Sequence, residues 1–73
     1  MNMVEVFKTN VGSKRAAKVI LEEIGLHQPG YKCNFDLEDC DKVLRIENTG
    51  GSVNAHLIFE ILQNNNFEGA ILE

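Results

Sequence analysis

The spacing of apolar residues along this chain switches between a period of two and a helical period. Near the start, Val4 and Val6 alternate with Glu5 and Phe7, which predicts a short strand. Asn10 and Gly12 interrupt it. Ala17, Ile20, Leu21 and Ile24 then recur at helical spacing and predict one buried stripe. Ser13 stands where an N-cap hydroxyl accepts a hydrogen bond from a first-turn amide. Gly25 reads as the stop of this helix, and His27-Gln28-Pro29-Gly30 as a loop.

From Tyr31 the period returns to two. Tyr31, Cys33, Phe35 and Leu37 point one way, and Lys32, Asn34 and Asp36 the other. Glu38-Asp39-Cys40-Asp41 is an acidic turn, and Val43 to Glu47 comes back as a strand with Leu44 and Ile46 inward and Arg45 and Glu47 outward. Asn48-Thr49-Gly50-Gly51 is a linker, after which Ser52 is the expected cap of a second helix. Leu57, Ile58, Ile61 and Leu62 form its buried stripe, with Phe59 on the flank. Asn66 suits the left-handed residue that ends a helix, and Glu68 to Glu73 reads as a last short strand.

The order is therefore β-α-β-β-α-β. Right-handed crossovers place both helices on one face of a four-stranded antiparallel sheet, a ferredoxin-like α+β sandwich formed by residues 1–73 as one domain. The other sheet face is expected to carry Glu5, Lys32, Asn34, Asp36, Arg45 and Glu47, so it reads as solvated and the chain as a monomer.

Composition narrows the classes. A chain of 73 residues lies near the lower limit for a self-sufficient core. Its net charge of −4 argues against nonspecific binding to nucleic acid or to a membrane surface. No apolar run approaches the roughly 20 residues that span a bilayer, and the first residues lack a basic region and a long apolar stretch. The expected location is cytoplasmic, where Cys33 and Cys40 would be thiols.

The whole pattern resembles the heavy-metal-associated domain of small copper chaperones and of the N-termini of metal-transporting ATPases. Val11 falls at that family's loop methionine, Ile20 and Ile24 at its two core positions on the first helix, and Asn66-Phe67 where it often has Gly-Tyr. The resemblance implies a metal-trafficking fold. The family's Met-x-Cys-x-x-Cys loop supplies two thiolates suited to Cu(I). Ser13 and Ala16 occupy those positions here, and no cysteine precedes Cys33, so the metal motif is missing. In the family this corner also contacts partner domains.

The residues around that corner have an unusual charge order. Lys14, Arg15 and Lys18 lie in the first half of the helix and Glu22 and Glu23 in the second, opposite to what the helix dipole favours. Lys14 and Lys18 also repel at a spacing of one turn. Four of the seven cations, counting Lys8, fall between residues 8 and 18. A solvated face and a docking surface for an acidic partner or a small anion, built from Gly12, Ser13, Lys14, Arg15 and Lys18, both accommodate this order.

The other candidates are weaker. Asp36, Glu38, Asp39 and Asp41 lack the ligand spacing and central glycine of a calcium loop and read as a soluble turn. That turn is expected at the same end of the molecule as Ser13. Cys33 reads as a small buried hydrophobe, and Cys40 as an exposed thiol made a poor nucleophile by nearby carboxylates. The two thiols face different surroundings, which leaves Cys33 and Cys40 as weak metal ligands. His27 is placed in a loop, and His56 pairs with Glu60 on the second helix. Acylphosphatases share the topology and bind phosphate in a glycine-rich first loop, whereas Thr9 to Arg15 holds one glycine. The chain accordingly reads as a non-enzymatic binding or adaptor protein without a cofactor. A metal carrier with non-standard ligands and an anion- or phosphate-binding domain are the alternatives.

Overall fold

Six elements follow the chain in the order that the periodicity predicts. A computed structural model describes residues 3–72. It comprises β1 (Met3–Thr9), α1 (Lys14–His27), β2 (Tyr31–Asp36), β3 (Val43–Asn48), α2 (Ala55–Asn64) and β4 (Gly69–Ile71). Every strand pair is antiparallel, and the sheet order is β2-β3-β1-β4. This is the ferredoxin-like βαββαβ arrangement, with both helices on one sheet face. The final strand is shorter than the expected Glu68–Glu73, and Glu73 lies outside the described residues.

The core fills the space between sheet and helices. Phe7 and Val11 meet the α1 stripe of Ala17, Ile20 and Ile24, Leu44 and Ile46 of β3, and Ile58, Ile61 and Leu62 of α2. Phe59 stands edge-on to Phe7, with ring centroids 5.6 Å apart. At Gly69 a Cβ would lie 2.5 Å from Leu62 Cδ1 and 3.3 Å from the Lys8 carbonyl oxygen. Glycine is what lets α2 and β1 approach β4 so closely.

The phase of β1 is opposite to the expected one. Glu5 is paired with Ile46 and Phe7 with Leu44, which places Glu5 and Phe7 on the helix side of the sheet. Val4 and Val6, paired with Glu47 and Arg45, take the open face. The open face thus keeps Lys32, Asn34, Asp36, Arg45 and Glu47 but loses Glu5 and gains two valines. Met3, Val4, Val6 and Phe7 are all apolar, so alternation alone supports either phase. Burial of the largest side chain decides between them. Turning Phe7 inward stabilises the domain by about 1.5–3 kcal/mol, and Glu5 is only half-buried in return.

Two helix boundaries also differ from expectation. Helix α1 passes through Gly25 and ends at His27, with Gln28 donating its N–H to the Ile24 carbonyl at 2.8 Å. A mid-helix glycine costs only about 1 kcal/mol, whereas Pro29 bars the helical conformation at the residue before it. Gln28 duly sits at φ −137, ψ 81. Asn54, not Ser52, caps α2: its side chain accepts from the Leu57 N–H at 3.2 Å, while its own N–H donates to the Tyr31 hydroxyl at 2.8 Å. The exit of α2 follows expectation. Asn66 is left-handed at φ 66, Phe67 N–H donates to the Leu62 carbonyl and Asn66 N–H to that of Gln63, which is the Schellman pattern.

Candidate functional site

The end of β1 is tied to the hairpin turn between β2 and β3. Thr9 donates its N–H to the Asp41 carbonyl at 2.9 Å and its hydroxyl to the Lys42 carbonyl at 2.7 Å. The same hydroxyl accepts from the Val11 N–H at 3.2 Å. Val11 turns fully into the core. The first loop is therefore stretched between a buried anchor and the helix, with Asn10, Gly12 and Ser13 on its surface. The hairpin turn and the start of α1 share one end of the molecule, as expected.

Ser13 caps α1 by accepting from the Ala16 N–H at 3.1 Å. Gly12 is exposed, with open space where a Cβ would stand, so no backbone constraint demands glycine there. Helix α1 has no acidic residue in its first turn. Lys14, Arg15 and Lys18 are all exposed, and among the described residues none of them forms an ion pair. Their position against the helix dipole costs a few tenths of a kcal/mol per charge by the usual magnitudes for exposed sites.

A groove of about 480 Å³ runs between α1 and β2. Lys14 and Lys18 stand on its helix side, Ala17, Leu21, Phe35 and Leu37 contribute its apolar lining, and Asp36 and Glu38 lie on its strand side. Of the expected corner residues, Lys14 and Lys18 come together in this groove. Arg15 and Lys8 do not join them. Lys8 instead lines a second groove of about 630 Å³ between α2 and β4, together with His56, Phe59, Glu60 and Glu68. The His56–Glu60 pair at 2.7 Å is exposed, as its helical spacing implies. Periodicity places the apolar lining of the first groove in the core. Leu21, Phe35 and Leu37 are half-buried, and only the packing of α1 on β2 puts them beside the two lysines.

The acidic turn uses its own carboxylates. Asp36 accepts from the Glu38 N–H at 3.2 Å and Asp39 from the Asp41 N–H at 2.9 Å. Lys42, left-handed at φ 47, donates its Nζ to the Leu37 carbonyl at 3.3 Å. Ligand atoms of Asp39, Cys40 and Asp41 lie within 4.8 Å of one another. They are neighbours in sequence, Asp39 and Cys40 are exposed, and the Asp39 carboxylate already serves the turn. Cys33 is half-buried against the core, and burial raises its thiol pKa above the ordinary value. His27 belongs to the last turn of α1, not to a loop, and its Nδ1 lies 3.0 Å from the Glu23 carbonyl oxygen.

Fold and corner together define a small α+β domain with a two-lysine groove beside an edge strand. No family model matches the chain, and none of the curated proteins does. Among the described residues, no helix is long and apolar enough to cross a membrane.

Proposed function

We propose that this chain is a small non-enzymatic binding or adaptor domain that docks an acidic protein partner through the start of α1. In this reading it is similar to a heavy-metal-associated domain whose thiolate pair is replaced by Ser13 and Ala16. One observation carries the proposal: Lys14 and Lys18 line an apolar groove, form no ion pair among the described residues, and sit where the helix dipole disfavours them. Gly12, Ser13 and Arg15 are exposed and adjoin Lys14 in the chain. For a metal-carrier reading, the described residues offer the cluster Asp39, Cys40 and Asp41, and the Asp39 carboxylate is engaged by the turn. A phosphate-binding reading gains little from a loop whose cap hydroxyl is engaged and whose glycine is not conformationally required.

The test is reversal of Lys14, Arg15 and Lys18 to Glu, followed by titration with a fluorescent polyglutamate peptide at low and high salt. The wild type is expected to bind and to weaken as salt screens the charges. The reversed variant is expected to lose binding, first through a slower association rate, while keeping or slightly gaining stability. A reversed variant that is less stable and binds polyglutamate unchanged would make the three cations a solvated face.

A further inference from the structure

The register shows which main-chain groups of β2 are unused. Leu72 N–H donates to the Val6 carbonyl and Asn10 N–H to that of Glu68, so even-numbered residues of β1 face β4. Glu5 and Phe7 then face β3 and pair with Ile46 and Leu44. Arg45 and Glu47 consequently turn to β2, where they pair with Asn34 and Lys32. Cys33 and Phe35 are left with both N–H and C=O directed away from the sheet, because β2 is an edge strand. Their side chains lie on the helix side, packed against the core. The free edge therefore enters, at Phe35, the groove that Lys14 and Lys18 overlook.

The opposite edge is not equivalent. Strand β4 is three residues long, and its groove mixes Lys8 and His56 with Glu60 and Glu68. The β2 groove has Lys14 and Lys18 on its helix wall, with Asp36 and Glu38 on the strand side.

We propose that this groove receives an extended acidic segment of the partner protein, which adds to β2 as an antiparallel fifth strand. The proposal rests on the docking reading above and specifies how the partner is held. Main-chain bonds to Cys33 and Phe35 supply affinity, and alternate side chains supply selectivity. In antiparallel pairing, the partner residues that bond Cys33 and Phe35 also point their side chains to the helix side. Those side chains meet Lys14 and Lys18, so they are acids. The residues between them point to the open face beside Lys32, Asn34 and Asp36, whose opposite charges favour no acid there. The recognised pattern is an acid at every second position, with no acid required between.

The probe is a synthetic peptide of alternating Glu and Thr, about eight residues long to match one strand. Two further peptides carry N-methyl groups, one on every Glu and one on every Thr. Each is titrated into isotope-labelled protein while the Cys33 and Phe35 amide signals are followed. The parent and the Thr-methylated peptide are expected to bind, to shift both signals and to slow exchange of both amides. The Glu-methylated peptide is expected to bind about tenfold more weakly or worse, since the amides that face β2 are blocked. Lys14→Glu with Lys18→Glu, checked for an unchanged circular dichroism spectrum, is expected to weaken all three. Equal binding of all three peptides, with loss on lysine reversal, overturns strand addition and leaves docking intact. Binding that survives the reversal, or no binding of the parent at low salt, overturns both. Loss on Thr methylation with retention on Glu methylation overturns the antiparallel register.

Discussion

Replacing Phe7 by Ala, set against Val4 by Ala, tests the packing directly. The two residues are three apart on one strand, and a simple reading of Val4 and Val6 as the inward pair makes Val4 the costlier loss. In the structure Phe7 is 0% exposed and Val4 is 53% exposed. Phe7 lies on a central strand between β3 and β4 and also faces the edge of Phe59. Removal of a buried Phe ring costs about 3–5 kcal/mol, and the ring pair is part of that sum. At roughly 0.05–0.15 kcal/mol per residue, a domain of 73 residues has a total stability of about 4–11 kcal/mol. Phe7→Ala should therefore bring the domain to the edge of unfolding at room temperature. Val4→Ala should shift it by no more than about 0.5 kcal/mol, as surface changes do. Urea denaturation followed by circular dichroism gives both values. Should Phe7→Ala prove partly unfolded from the start, Phe7→Leu supplies a measurable, smaller loss. A Val4→Ala cost equal to or above that of the Phe7 variants would refute the phase of β1 and the open-face assignment with it.

Three further outcomes follow from the same structure. Ile20→Ala and Ile61→Ala each remove a buried contact from one helix and should cost roughly 2–5 kcal/mol by denaturant melting; an Ile20 variant as stable as the parent would mean the stripe of α1 is misplaced. Burial raises the Cys33 thiol above its ordinary value of 9.0, so the folded chain keeps this proton to higher pH than the unfolded chain. The resulting stabilisation is complete below that ordinary value and is lost as pH rises through the folded one, so Cys33→Ala should show a shallower alkaline fall in Tm than the parent. Cu(I) should be removed from the protein by a chelator as readily as from any thiol protein, because no cysteine precedes Cys33 and the first loop offers Ser13 and Ala16 in place of thiolates; a stoichiometric, chelator-resistant complex would contradict this.

The element order was legible because each change of period is bracketed by turn residues, from Asn10-Gly12 to Gly50-Gly51. Ser13 was legible as a cap because no competing cap lies beside it. Ser52 and Asn54 stand two apart, and the choice depends on the Tyr31 hydroxyl reaching the Asn54 N–H from another strand. Gly25 reads as the end of α1 whereas Pro29 sets it, since backbone geometry weighs more than propensity there. The phase of β1 was illegible for a different reason: four apolar residues among five leave period two without a contrast. The cation cluster could be seen in the sequence, but not which cations act together. Lys8 and Lys14 are six residues apart and line different grooves, while Lys14 and Leu37 are 23 apart and line the same one. That grouping comes from the topology of the sheet.

The tie from the Thr9 hydroxyl to the Lys42 carbonyl spans 33 residues of chain. Contacts at such separation bear a loop-closure cost that local helices and hairpins do not. Helix α1 and the β2–β3 hairpin can each begin locally, but their ends stand side by side only after β1 has entered between β3 and β4. A nascent or partly unfolded chain therefore displays the lysines and the acidic turn without the groove that relates them. On the docking reading proposed above, recognition at this corner would be, in kinetic terms, a readout of completed folding.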